Sequence, residues 1–333
     1  MIGKLKIENC GPIDKLEINA SPQMNIIIGE NDTGKTLILK SLYLLIKTRE
    51  EFKRGKDQRT FKQVVDDKLT WTFQLDRIGD LVKKGSSGRL RFEATIDNSS
   101  TAVAFTASAT KGAGEATAAN HNRPYNSIFF PAKEVVSLMD VIKKSRNIDQ
   151  EFGFDDTYLD LVSALEKKTT KGKNWKNFSA ARKRLGTLTS NIQLEFDQGL
   201  WTFKKGNTIY PVHITAEGIR KIAIIDRLLG NRIITPESVL FFDEPEAVLH
   251  PKAIVELMDI LLLIMQSGVQ VFIATHSFFV IKKLQILSQK NKLQTTVVSL
   301  IKNKSPAIYD LKNGMPDNPI IQTSISLYRE EIS

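Results

Sequence analysis

The segment Gly29-Glu30-Asn31-Asp32-Thr33-Gly34-Lys35-Thr36 constrains this chain more than any other. It satisfies G-x-x-x-x-G-K-[ST] at every fixed position. Its flanks fit as well, with the apolar run Ile26-Ile27-Ile28 before it and helical spacing through Leu37, Leu39, Leu42, Leu45 and Ile46 after it. A strand, a glycine-rich bend and a helix in that order make a phosphate-binding loop. Backbone N–H groups of the bend converge on phosphate oxygens, and the helix points its partial positive end at them. Gly29, Asn31, Asp32, Thr33, Gly34, Lys35, Thr36 and Leu37 are the expected nucleotide-binding residues. Lys35 would reach the β and γ phosphates, and the Thr36 hydroxyl would ligate Mg²⁺.

With 333 residues the chain can bury a large core, as one elaborated domain or two lobes. Its 41% hydrophobic and 25% charged content is that of a soluble globular protein. No run reaches the roughly 18 apolar residues that span a bilayer. The start, Met1-Ile2-Gly3-Lys4-Leu5-Lys6, alternates like a strand and lacks a secretory apolar core, so a cytoplasmic location without a membrane is expected. The single cysteine, Cys10, excludes an internal disulfide and a cysteine zinc cluster and suits a reducing compartment. A net charge of +10, from 47 basic and 37 acidic residues, favours a polyanionic partner, nucleic acid first.

Before the loop, Leu5 and Ile7 alternate with polar residues, Gly11-Pro12 breaks the pattern, and Leu16 and Ile18 resume it, which predicts two strands and a turn. The helix after the loop should end near Arg54-Gly55, followed by a charged stretch. Alternation from Arg89 to Ala107 predicts an antiparallel pair turning at Asp97-Asn98-Ser99-Ser100. Ser108 to Asn122 is small and polar and is expected to be a mobile surface loop. Ser127-Ile128-Phe129-Phe130 predicts a short buried strand closed by Pro131, with a helix through Val135, Leu138, Met139 and Ile142 beyond it. Residues 154–185 have helical spacing.

From Lys167 to Arg184 eight basic residues occur with no acidic one, and Trp175 and Phe178 lie inside the run. Such a run can hold a phosphate backbone and stack bases. It fits equally a solvated helix face over two core aromatics. Residues 190–212 return to strand alternation, with Asp197-Gln198-Gly199 as a hairpin turn.

Ser238-Val239-Leu240-Phe241-Phe242-Asp243-Glu244 is a continuous apolar strand ending in two carboxylates. Strands buried on both faces look like this in parallel sheets, which place their chemistry at the carboxyl ends. Asp243 would hold Mg²⁺ through its water shell, and Glu244 would polarise the attacking water. After Asp243-Glu244 comes Pro245-Glu246-Ala247-Val248-Leu249-His250-Pro251, and a second apolar strand, Val269 to Ala274, delivers Thr275-His276-Ser277. Here the sequence resembles the ABC-type ATPases of the SMC, RecF and OLD kind, whose acidic pair runs into E-P-E-x-x-L-H-P. Thr275-His276-Ser277 resembles the switch-histidine motif of that class, with His276 as the γ-phosphate sensor. Ile214-Thr215-Ala216-Glu217-Gly218-Ile219 resembles the signature segment, whose helix start faces the nucleotide held by a second subunit. Thr215, Glu217 and Gly218 would make that contact, although Ala216 stands where a serine is usual. No glutamine follows the Phe129-Phe130 strand, leaving Lys133 or Glu134 in the glutamine-loop position.

The resemblance covers most of the chain and implies an α/β fold. The implied architecture is that of a P-loop NTPase with an ABC-ATPase head, in which a mixed central sheet is joined by an antiparallel β lobe and a short helical insert. It divides the chain into an N-terminal lobe (1–145), a helical basic insert (146–188) and a C-terminal lobe (189–333). Residues after His276 suggest two strands (Thr295 to Ile301, Ala307 to Leu311) and a short helix rather than a TOPRIM nuclease. The implied cofactors are ATP and Mg²⁺, and the implied assembly is a head-to-head homodimer or higher oligomer. The function implied is ATP hydrolysis that controls a partner effector, a nuclease or toxin, in bacterial anti-phage defence. Two alternatives are a RecF-like repair ATPase that loads proteins on DNA and an ATP-gated scaffold that sequesters a toxin.

Overall fold

The computed structural model describes residues 1–169, 174–197 and 199–332. In chain order the elements are β1 (Ile2–Cys10), β2 (Ile13–Asn19), β3 (Met24–Gly29), α1 (Lys35–Glu51), α2 (Phe61–Phe73), β4 (Leu90–Ile96), β5 (Ser99–Phe105), β6 (Glu115–Thr117), β7 (Ser127–Phe130) and α3 (Met139–Lys143). They continue with α4 (Asp156–Leu165), α5 (Lys176–Leu188), β8 (Gln193–Asp197), β9 (Leu200–Lys205), β10 (Thr208–Pro211), α6 (Glu217–Gly230) and β11 (Val239–Asp243). The last are α7 (Pro251–Met265), β12 (Gln270–Thr275), α8 (Phe278–Asn291), β13 (Thr295–Leu300), β14 (Ala307–Tyr309) and α9 (Pro319–Ile332).

The central sheet has the order β14-β13-β3-β12-β11-β7 and is parallel except for β14 at one edge. Its middle strands are buried on both faces, so they are apolar throughout instead of alternating. Alternate residues still divide between two cores. Ile26, Leu240, Phe242 and Ile273 face one with α4 to α8, and Ile27, Phe241, Phe272 and Ala274 face the other. Helix α1 lies in the second core, between the central sheet and an antiparallel sheet of order β2-β1-β4-β5-β6. Because it is enclosed, α1 buries Ile38, Leu39, Leu42, Leu44, Leu45 and Ile46 all round. Stacked rings of Phe130 and Phe242 (centroids 4.3 Å apart) and of Phe241 and Phe272 (5.3 Å) bind neighbouring strands side by side. A three-stranded antiparallel sheet, β10-β9-β8, precedes α6.

Several expectations change. The charged stretch after α1 contains α2, started by a capping box. Thr60 Oγ1 accepts from the Gln63 N–H, and Gln63 Oε1 accepts from the Thr60 N–H. The loop expected over Ser108 to Asn122 contains β6, paired with Ala102–Ala104 of β5. It is anchored where the Ala113 N–H donates to Asp66 Oδ1 at 2.6 Å. Its small side chains carry no periodic signal, and the pairing is tertiary. The turn at Asp97 to Ser100 tightens to Asp97-Asn98, both in the left-handed region (φ 46° and 65°), so Ser99 and Ser100 pair within the hairpin. The helical stretch 154–185 splits into α4 and α5, because Lys167-Lys168-Thr169 offers no apolar residue to extend the buried stripe of α4. Between them Thr170 to Lys173 lie outside the described residues, as does Gln198 of the hairpin turn. The helix after Glu134 is short and irregular, a 3₁₀ turn (Val136–Leu138), α3 and a π-helical turn (Lys144–Asp149).

Candidate functional site

The carboxyl ends of β3, β12 and β11, neighbours in the middle of the central sheet, lie side by side. β3 runs into the loop Glu30–Gly34, which must bend tightly back on itself. A side chain at Gly29 would lie 2.6 Å from Thr33 Oγ1 and 2.7 Å from the Leu300 carbonyl, and Gly34 needs φ 95° to start α1. The Glu30 carbonyl fastens the loop, accepting from Thr33 Oγ1 at 2.8 Å and from Lys35 Nζ at 2.9 Å. Burial pulls the Lys35 ammonium below its usual pKa, against the opposing charges of Glu244 and Asp243. Asn31 and Asp32 are exposed on the outer bend, and Asp32 takes φ 67°. The first intrahelical bond to Gly34 comes from Ile38, so the N–H groups of Lys35, Thr36 and Leu37 have no helical acceptor. The Leu37 side chain packs on the core, leaving its N–H as what it can offer a phosphate. Beside the loop lies a cavity of about 570 Å³ whose lining includes Pro12, Ile13, Lys15, Asp32, Thr33 and Lys302.

β11 delivers Asp243 opposite the helix start. Thr36 Oγ1 donates to Asp243 Oδ2 at 2.9 Å. Burial, with the Glu244 charge beside it, raises the Asp243 pKa to about 6, although the Thr36 hydrogen bond opposes the shift. Glu244 takes φ 47°, a left-handed conformation that a non-glycine residue seldom adopts, and its N–H donates to the Ala274 carbonyl at 2.9 Å. That bend turns its carboxylate toward β12, where Glu244 Oε1 lies 2.9 Å from His276 Nδ1. The two residues at these strand ends, far apart in sequence, thus form a contact pair.

The remaining expected residues lie at the start of α6. Ala216 is its N-cap, with no side-chain hydrogen bond. Thr215 does not cap the helix, since its hydroxyl makes only a long contact (3.4 Å) to the Pro211 carbonyl. Gly218 packs so closely on the turn after Glu244 that a Cβ would sit 3.1 Å from the Val248 carbonyl. His250 caps α7 through Nδ1, and Pro251 opens that helix, which gives the H-P pair a structural role. Glu134 is buried, bonded to Ser137 and facing Arg220 of α6 at 3.7 Å, whereas Lys133 is exposed.

Two residues here are not individually singled out by the sequence. Glu246 accepts from Thr275 Oγ1 at 2.6 Å, and Lys221 of α6 donates to the Glu244 carbonyl at 2.9 Å. Burial lowers the Lys221 pKa to about 8, against the attraction of Glu246, Asp243, Glu244 and Glu217. For Glu246 the signal was the second carboxylate of E-P-E. Lys221 had none, because its partners are backbone carbonyls of distant segments.

The basic run is partly neutralised. Arg182 pairs with Asp226 (2.8 Å), Arg184 pairs with Glu256 (2.7 Å), and Phe178 is buried. Trp175 is 43% exposed, while Lys171 and Lys173 lie outside the described residues.

A P-loop, a strand-end carboxylate pair and a histidine on the next strand, on a sheet of this order, define an ABC-type ATPase of the SMC/RecF-like class. A family model described as "AAA domain, putative AbiEii toxin, Type IV TA system" matches residues 24–282, and the chain belongs to that family. An Smc head bound to the C-winged helix domain of ScpA superposes with a TM-score of 0.55 at 13% identity, covering 94% of this chain and 98% of that one. The Smc head with an extended coiled coil bound to the C-terminal domain of ScpA, derived from Pyrococcus furiosus, gives a TM-score of 0.53 at 12% identity, covering 100% and 99%. At such identity the likeness is one of fold, that of an SMC head. DNA replication and repair protein RecF of Limosilactobacillus fermentum is 31% identical over 99 residues, 30% of this chain and 24% of RecF. RecF of Lysinibacillus sphaericus is 34% identical over 97 residues, 28% and 23% of the two chains. The matched segments thus span about a quarter of these curated relatives. Among the described residues no helix is long and apolar enough to cross a membrane.

Proposed function

We propose that the protein binds ATP with Mg²⁺ in the loop Gly29 to Leu37 and hydrolyses it. The observation that carries this reading is the convergence of Thr36 on Asp243 (2.9 Å) and of Glu244 on His276 (2.9 Å) at adjacent strand ends. The Thr36 hydroxyl and the Asp243 carboxylate are hard oxygen donors and fit Mg²⁺, which when bound would neutralise charge on the phosphates. Lys35, released from the Glu30 carbonyl, would place its ammonium on the phosphates. The unpaired N–H groups of Lys35, Thr36 and Leu37 would complete the cradle. Glu244 would orient the attacking water and take its proton. With Glu244 as a carboxylate, His276 Nδ1 is the donor in their contact, which fixes the ring; only as an imidazolium would it also donate from Nε2 to the γ-phosphate.

The site would be closed by the α6 start of a second copy, through Thr215, Glu217 and Gly218. Supporting this, that helix start lacks a side-chain cap, and Ile214 (72% exposed) and Val248 (53%) leave apolar surface around it. The output would pass to a partner effector, a nuclease or toxin, in anti-phage defence, in keeping with the toxin–antitoxin wording of the family description. A second reading, a RecF-like ATPase acting on DNA, is favoured by the RecF similarity and the net charge of +10.

The test is steady-state ATP hydrolysis with Mg²⁺. Glu244→Gln should lower kcat by about 10²–10³-fold while ATP binding persists. Equal turnover in the two proteins would remove Glu244 from this role.

A further inference from the structure

Glu246 lies just past the strand-end carboxylates, and its side chain is 9% exposed. Its Oε1 accepts from the Thr275 hydroxyl at 2.6 Å and from the His276 backbone N–H at 3.3 Å. The Thr275 hydroxyl in turn accepts from the Ser277 N–H at 3.0 Å. One carboxylate therefore gathers three consecutive residues at the end of β12, and these residues aim the His276 ring. His276 Nδ1 is 2.9 Å from Glu244 and 3.9 Å from Glu246. Glu246 Oε2 is buried without a partner among the described residues.

A neutral amide would serve the Thr275 hydroxyl as well, so these hydrogen bonds alone do not call for a buried charge with an unused oxygen. Lys221 of α6 donates to the Glu244 carbonyl at 2.9 Å and to the Ala132 carbonyl at 3.3 Å, which ties the end of β11 to α6.

We propose that Glu246 is a positioning residue. It fixes the end of β12 so that His276 stays turned to Glu244, whose backbone carbonyl is held by Lys221 of α6. The inference rests on the ATPase reading for its kinetic consequence but not for its geometric one.

Three variants test it: Glu246→Ala, Glu246→Gln and Thr275→Val. ATP turnover, binding of a fluorescent ATP analogue and the ¹⁵N resonances of the His276 ring in nucleotide-free protein would be measured for each. With four histidines in the chain, the His276 signals can be assigned by their loss in His276→Gln. Glu246→Ala should lower kcat by about 10²-fold with KM changed less than about threefold, the scale expected when reacting groups are misplaced by about an ångström. Its His276 nitrogens should move toward free-imidazole positions. Glu246→Gln, which keeps the acceptor and loses the charge, should fall between Glu246→Ala and wild type, and Thr275→Val should shift the ring signals in the same direction. Thr275→Val and Glu246→Gln preserve volume and carry the test should Glu246→Ala not fold. Turnover within about twofold of wild type, or unchanged His276 resonances in the folded variants, would overturn the proposal. A wild-type protein that does not hydrolyse ATP would refute the ATPase reading, and the ring resonances would still decide the role of Glu246.

Discussion

Two helix starts in this molecule are built alike and finished differently. Neither α1, at Gly34, nor α6, at Ala216, is closed by a side-chain hydrogen bond, a property they share with α3, α5 and α8, whereas Thr60, Asp155 and His250 close α2, α4 and α7. An open start leaves backbone N–H groups free at the positive end of the helix dipole. Around α1 the chain supplies the rest, with a lysine folded onto the loop, a hydroxyl on the Asp243 carboxylate and a buried helix body behind them. Around α6 the opening is exposed at Ala216; its N-terminal turns are anchored by Gly218 against the Val248 carbonyl and Lys221 on the Glu244 carbonyl, and its body buries Ile222, Ile225, Leu228 and Leu229 in the core. In the proposed dimer the first start would take its ligand from solution, and the second would take one presented by another copy, next to the Glu244 carbonyl that Lys221 holds.

Substitutions can break this contrast. The largest effect is expected at the α1 start, where Lys35→Ala should weaken ATP binding by about 10²-fold or more, from the loss of a charge-assisted contact to phosphate. Isothermal titration would measure it, and unchanged affinity would mean that the loop does not hold the phosphates. At the α6 start, Gly218→Asp crowds the Val248 carbonyl and places a negative charge where a phosphate should arrive. ATP affinity of the single chain should stay within about threefold, while turnover falls by about 10²-fold. A parallel loss of affinity would mean that both starts serve one nucleotide in one chain.

The smallest effect is one of stability. The Asp243 carboxyl is held at about 6, above its ordinary 3.8. The folded protein therefore binds more protons than the unfolded chain between those values, and stability falls as pH rises through that window. The penalty is absent below the lower value and complete above the upper one. Asp243→Asn, neutral at every pH, should stabilise the nucleotide-free protein by on the order of 1–3 kcal/mol above pH ~6, with little gain near pH ~4. Urea denaturation at both pH values would show it. An equal gain at both would assign the effect to packing.

The same contrast marks what the sequence made legible. The α1 side was visible because its residues are contiguous and its flanks carry strand and helix periods. The apolar strands leading to Asp243 and Thr275 were visible for the same reason, being buried on both faces. The α6 side was legible only as a resemblance, because Ala216 carries no side-chain chemistry and Gly218 is explained by a carbonyl thirty residues away. Helix α2 is not read from the sequence although Thr60 and Gln63 carry its capping box, because the charges around them mask its buried Val64, Val65 and Leu69. β6 gave no such signal, since small residues can join a sheet edge without alternation. The basic run lost part of its apparent charge to Asp226 and Glu256, partners that only the fold brings near.

The central claim is that the open start of α6 closes on nucleotide held by a second copy. Light scattering of Glu244→Gln, which should bind ATP without consuming it, tests this most directly. With Mg²⁺ and ATP its mass should rise from 37.4 kDa to about twice that value, and it should return to 37.4 kDa when Gly218→Asp is added. A Glu244→Gln protein that remains at 37.4 kDa under saturating ATP would contradict the account.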